Sequence, residues 1–212
     1  DGTLVDSAGD LTAAANDVRA SLGLPKIDVA QVRTAISVGA RAILNQALPE
    51  LDEAERKQHV DPFLVFYRER IGRIDGLFPG ISNVLYELDA AGTRWGVVTN
   101  KREDLARIVL ARLNLTARCA VLIGGDTLAR CKPDPLPVIT ACERMGLSPK
   151  DIAFVGDDAR DVKAGAAAGA RTIAVCWGFN QPDDDPNTWG ADIVLTSPMQ
   201  LIETSALHVE RA

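Results

Sequence analysis

The sequence predicts an α/β protein: a doubly wound parallel sheet with an inserted four-helix cap domain. Three observations carry this expectation. From about residue 80 onward, short wholly apolar runs alternate with amphipathic helical stretches, the pattern of parallel strands buried on both faces. Residues from about 8 to 78, in contrast, show helical periodicity alone. The chain has 212 residues, 47% apolar and 25% charged, an ordinary globular composition with length enough for a substantial core. The expected domains are an α/β core of residues 1–9 and 79–212 and a helical cap of residues 10–78.

Within the cap, residues 11–22 read as a helix that ends at Gly23-Leu24-Pro25, and residues 29–36 as a second helix. Ser37 is placed to cap a third, which holds Ile43, Leu44 and Leu48 and stops before Pro49. Asp52 is placed to cap a fourth, which runs to about residue 71 with a kink at Pro62. In the core, 81–91 is a helix stopped by Gly92, 95–98 a strand, 105–113 a helix, 121–123 a strand, and 135–145 a helix entered through a proline. Residues 152–155 form a strand and 162–170 a small-residue helix, and the strands 172–175 and 193–195 close the series.

Composition excludes several classes. A net charge of −6 disfavours nucleic acid or an anionic membrane as partner. No apolar stretch approaches the ~20 residues that span a bilayer. The cysteines at 119, 131, 142 and 176 form no Cys-x-x-Cys pair and read as reduced thiols of a cytoplasmic protein. His59 and His208 read as solvated surface residues, which leaves no Ser-His-Asp triad and no histidine metal cage. There is no Gly-x-Ser-x-Gly elbow and no Gly-Lys-Ser/Thr phosphate loop. The acidic loop at residues 182–186 reads as a solvated turn, because its carboxylates are sequential. The chemistry therefore falls to Asp, Lys, Thr and backbone groups.

In an open parallel sheet the strand ends converge on one edge, where ligands bind. Asp1, Thr99, Lys132 and Asp157 lie at or just after predicted strand ends. Each alone has a bland reading: a turn, a strand threonine, a surface lysine, and helix-capping carboxylates at Asp158 and Asp161. Together, Asp1-Gly2-Thr3-Leu4-Val5-Asp6-Ser7, Val97-Val98-Thr99-Asn100, Cys131-Lys132-Pro133-Asp134-Pro135 and the segment 154–161 resemble, in order, the four motifs of the haloacid dehalogenase superfamily.

That resemblance implies a phosphatase working through an aspartyl-phosphate, its nucleophile two residues before Asp1 on a central strand. Asp1 is implied as general acid and then base, Thr99 as a hydrogen-bond donor to the phosphoryl group, and Lys132 as the charge-balancing cation. Thr3, Asn100 and Arg41 are implied in substrate binding. Asp1, Asp157, Asp158 and Asp161 are implied around Mg²⁺, a cation suited to an all-oxygen site. A phosphate-binding module without activity is the alternative, since the string begins after the implied nucleophile. A signalling receiver is disfavoured, because its acidic pair precedes its other motifs.

Within the superfamily, Val5-Asp6-Ser7, Val98-Thr99-Asn100-Lys101, Gly124-Gly125-Asp126 and Lys132-Pro133-Asp134-Pro135 resemble the phosphoglycolate phosphatase group. Residues 95–101, 39–42, 183–184 and 189–192 are similar, more narrowly, to the N-acetylmuramic acid 6-phosphate phosphatases of cell-wall recycling. Either way the partner is a small phosphate ester that carries a carboxylate, which Arg41 in the segment Ser37-Val38-Gly39-Ala40-Arg41 would grip. The expected state is a monomer or homodimer.

Overall fold

The computed structural model describes residues 1–74, 76–181 and 183–203, so His208 and Pro182 lie outside the described residues. The chain divides into two compact units, one of Val5–Gly76 and one of Asp1–Leu4 with the chain from Leu77 onward.

The first unit opens with β1 (Val5–Asp6) and α1 (Ala8–Ser21), followed by two 3-10 turns, Val29–Gln31 and Arg33–Ala35. It continues through α2 (Ala40–Ala47), α3 (Glu53–Gln58) and α4 (Val60–Arg70). The helix expected over 29–36 is thus only the two turns. Its eight residues include β-branched Val29, Val32 and Thr34, and so short a run cannot offset the cost of nucleating a helix. Ser37 does not cap α2; Gly39 does, at a φ of 108° that suits glycine. The fourth expected helix breaks at His59 and does not kink at Pro62. Pro62 instead lies in the first turn of α4, where its missing N–H breaks no helical bond. Asp52 caps α3 as expected and trades hydrogen bonds with Glu55, 2.8 Å each way.

This unit is centred on the buried side chains of Val18, Val32, Ile43, Leu44, Leu48, Phe63 and Tyr67. Phe63 and Tyr67, four residues apart on α4, stack with centroids 6.5 Å apart. Two buried charges are fully engaged. Arg19, 3% exposed, donates to the carbonyls of Pro25 and Ala47 and pairs with Glu50 at 2.9 Å. Asp10 accepts the N–H groups of Gly72 at 2.6 Å and Ile74 at 3.0 Å, which ties the unit's last residues to its first helix.

β2 (Gly76–Leu77) pairs with β1, and its Leu77 begins the main stretch of the second unit. That unit contains α5 (Ile81–Ala90), β3 (Trp95–Val98), α6 (Glu103–Arg112), β4 (Cys119–Ile123) and α7 (Leu136–Met145). Then come β5 (Ala153–Gly156), α8 (Ala159–Ala168), β6 (Arg171–Val175), β7 (Ile193–Leu195) and α9 (Gln200–Glu203). The alternation is as expected, and the pairings are parallel: β3 with β4, and β5 with β6 with β7. Two-residue β1 and β2 carry no periodicity and were not foreseen. Helices α6 and α8 start earlier than expected, at Glu103 and Ala159, because acidic first turns suit the positive helix end. One apolar cluster joins Val84 and Leu201 to Ile173, Val175 and Leu195; another joins Val121 and Ile123 to Ala141. They hold the strands whose ends carry the polar residues described next.

Candidate active site

Beyond β3 the ladder runs one residue further, with the Thr99 N–H on the Ile123 carbonyl at 2.9 Å. The Thr99 hydroxyl then accepts the Lys101 N–H at 3.1 Å and turns the chain. The Lys101 carbonyl accepts from Gly125 at 2.8 Å. Gly125 has no room for a side chain, because a Cβ there would strike the Asn100 carbonyl. Between them, the Asn100 amide clasps the backbone of Lys132. It donates to the Lys132 carbonyl at 2.9 Å and accepts the Lys132 N–H at 3.1 Å.

Lys132, which precedes a cis peptide bond to Pro133, sends its ammonium back across the strand ends. Nζ reaches the Val98 carbonyl at 2.7 Å and Asp161 Oδ1 at 2.6 Å, with the Phe154 ring centroid 5.7 Å away. Only about a tenth of either charged side chain is exposed. Such a charge-assisted pair joins the end of β3 to the first turn of α8.

Asp157 follows β5 and is buried. Its Oδ1 accepts the Thr3 hydroxyl at 2.8 Å and its Oδ2 the Phe179 N–H at 3.1 Å. The Thr3 carbonyl is fixed in turn by the Trp177 indole at 3.0 Å. Burial pushes the Asp157 carboxyl above its ordinary range, and the charge of nearby Asp161 adds to the rise; the Phe179 and Thr3 hydrogen bonds oppose it. Three glycines make room here. A Cβ on Gly2 or Gly178 would overlap the Asp157 carboxylate, and one on Gly156 would overlap Asp161.

Asp158 faces another partner. It caps α8 through the Arg160 N–H at 2.8 Å, and both of its oxygens meet the Arg160 guanidinium, at 2.7 and 2.6 Å. Burial opposes the ionised form, but these bonds hold the Asp158 carboxyl below its ordinary range.

Asp1, Thr3, Thr99, Asn100, Lys132, Asp157 and Asp161 thus belong to one linked set in the α/β unit, while Asp158 is committed to Arg160. Asn100 places its amide on the Lys132 backbone. Arg41 lies in the helical unit, exposed on the first turn of α2. Sequence reasoning assigned no role to Lys101, whose Nζ is 2.8 Å from Asp1 Oδ2. Its position two residues past Thr99, in a turn closed by that hydroxyl, was the available signal. Among the described residues of the acidic loop, Asp185 caps the 3-10 turn Pro186–Thr188, and Asp184 accepts from the Trp189 indole at 2.5 Å.

The donors around Asp157 are oxygens, which suits a hard cation. Among the described residues no three His, Cys, Asp or Glu side chains converge into a ready-made metal cage. Magnesium fits such a site, because it takes one or two carboxylates and fills its octahedron with water and substrate oxygens. The glycine cradle keeps other side chains off the Asp157 carboxylate.

An α/β fold with carboxylates and a bridging lysine at its strand ends defines a hydrolase class, and the chain belongs to it: residues 1–175 match the haloacid dehalogenase-like hydrolase family. Among its relatives, a phosphoglycolate phosphatase of Xylella fastidiosa is 48% identical over 198 residues, 93% of this chain and 86% of that one. An N-acetylmuramic acid 6-phosphate phosphatase of Pseudomonas aeruginosa is 40% identical over 204 residues, 96% of this chain and 90% of that one. The crystal structure of a predicted phosphoglycolate phosphatase from Haemophilus somnus superposes with a TM-score of 0.84 at 29% identity, covering 97% of this chain and 94% of that one. Among the described residues no helix is long and apolar enough to cross a membrane.

Proposed function

We propose that this chain is a Mg²⁺-dependent phosphomonoester hydrolase that works through an aspartyl-phosphate on a small carboxylate-bearing ester. The observation that carries the reading is the bridge from Lys132 to Asp161 and Val98, beside the buried, glycine-cradled Asp157. Phosphoryl transfer asks mainly for positioned charge, and this arrangement supplies it. Thr99 donates to the transferring group, Lys132 balances its charge, and Asp1 moves the proton at the leaving oxygen. Asp157, the Asp1 carbonyl and Asp161 are the groups that would hold the cation. Bound there, Mg²⁺ supplies charge neutralisation at the phosphoryl oxygens. Asp158 serves this site at one remove, through α8. The inactive-module reading has no observation in its favour.

The names of the relatives suggest two substrates, 2-phosphoglycolate and N-acetylmuramate 6-phosphate. Both carry a carboxylate, for which exposed Arg41 is the candidate guanidinium. The test is phosphate release with and without EDTA, for both esters, by the wild type and by Asp157→Asn. The expected result is metal-dependent turnover that falls at least about 10²-fold in the variant, because a cation ligand is lost. Turnover indifferent to EDTA and to Asp157→Asn sinks the reading. Preference for the sugar acid assigns the enzyme to cell-wall recycling; preference for phosphoglycolate assigns it to metabolite repair.

A further inference from the structure

We propose that Lys101 is a positioning residue for the proton-transferring Asp1, holding that carboxylate in its working orientation from the turn that follows β3. This rests on the phosphatase reading above and adds a residue to it. The two side chains are 2.8 Å apart and mostly shielded, with 10% of the Lys101 side chain and 21% of the Asp1 side chain exposed. A shielded, charge-assisted hydrogen bond of this length fixes direction as well as distance. The lysine is itself well anchored. Its N–H is held by the Thr99 hydroxyl and its carbonyl by the Gly125 N–H, so the ammonium projects from a clamped turn. The neighbour on that turn, Asn100, clasps Lys132. One turn therefore addresses two charged residues: Asn100 sets the backbone of Lys132, and Lys101 sets the side chain of Asp1.

The orientation matters at one step. Asp1 enters this step protonated on Oδ1, while Oδ2 keeps its contact with Lys101; as the phosphorus–oxygen bond to the leaving alcohol breaks, its electron pair goes to the leaving oxygen, which takes that proton. The phosphoryl group passes to the aspartyl nucleophile, and Asp1 is left as a carboxylate facing the Lys101 ammonium. A misdirected Asp1 harms this step in proportion to how much the leaving oxygen needs a proton. An alkoxide needs it most, and a nitrophenolate hardly at all.

The experiment measures kcat/KM, which reports the first phosphoryl transfer, for 4-nitrophenyl, phenyl and ethyl phosphate. None of these carries a carboxylate. The full-length wild type is compared with Lys101→Met and Lys101→Arg, and thermal melts establish that each is folded. For Lys101→Met the expected loss is on the order of 10²-fold with ethyl phosphate, the low end of what a general acid contributes, and within about threefold with 4-nitrophenyl phosphate. Phenyl phosphate falls between them, and Lys101→Arg, which keeps the cation, recovers most of the ethyl phosphate rate. An equal loss on all three esters in a folded variant makes Lys101 merely structural and overturns the proposal. No loss on any of them also overturns it, since Lys101 then serves something other than Asp1. Absence of Mg²⁺-dependent release by the wild type is a different failure: it removes the phosphatase reading, and the proposal with it.

Discussion

Replacing Gly178 by alanine tests whether the room around Asp157 is functional. Gly178 has no left-handed backbone to lose, so the only change is a methyl group. Built on the backbone, that Cβ lies 2.6 Å from Asp157 Cγ, while carbon atoms in ordinary contact are about 3.5–4.0 Å apart. The carboxylate or the loop must therefore give by about 1 Å, a displacement that can cost about 10²-fold in rate when it misplaces a reacting group. Overpacking of this kind costs about 1–3 kcal/mol, and each kcal/mol lowers Tm by about 2–4 °C in a chain of this size. Gly146→Ala is the matched control. Gly146 ends α7 at a φ of 67° with no atom within 4 Å of a new Cβ, at the end of that helix away from Lys132. That substitution strains the backbone by about 1 kcal/mol and leaves kcat/KM unchanged. The assay is steady-state phosphate release over a Mg²⁺ titration, alongside a thermal melt. The expected result is two variants of comparable stability, of which Gly178→Ala alone loses turnover and needs more metal. Wild-type turnover and metal response in Gly178→Ala would refute the idea that this cradle sets Asp157.

Two further predictions address stability. Arg19→Met removes the donor to the buried Pro25 and Ala47 carbonyls and should destabilise the helical unit by about 2–4 kcal/mol, read from urea unfolding; a change near zero would show that water replaces the guanidinium. The Thr172 N–H and hydroxyl hold the Asp192 carboxyl below its ordinary 3.8. Its contribution is therefore present above about pH 4 and lost as pH falls through the depressed value, so wild type and Asp192→Asn should converge in urea midpoint as pH falls below about 4. A gap that stays constant over that range would contradict it.

The sequence was most legible where pattern and chemistry coincide. Apolar runs such as Val97-Val98 and Phe154-Val155 announce parallel strands, and each ends in the polar residue that the structure places in the linked set. Helix boundaries were less legible, because they depend on local competition. His59 divides what periodicity joins, Gly39 takes the capping place expected of Ser37, and Pro62 fits a helix start as well as a kink. Partners across the fold were not legible at all. Nothing in the order of residues says that Asp158 will be taken by Arg160, that Asn100 will face a backbone 32 residues away, or that Lys101 will meet Asp1. Those pairings follow from which loops the fold brings together, and residue order does not state that.

The grip of Asp10 on the amides of Gly72 and Ile74 has a consequence for how such enzymes diversify. The helical insertion fastens its own tail to its own first helix, so the tie lies within the unit. An insertion closed in this way is a cassette. Its splice points for exchange between relatives lie outside β1 and β2, ahead of residue 5 and after residue 77. Chimeras joined there should inherit the stability of the donor's helices.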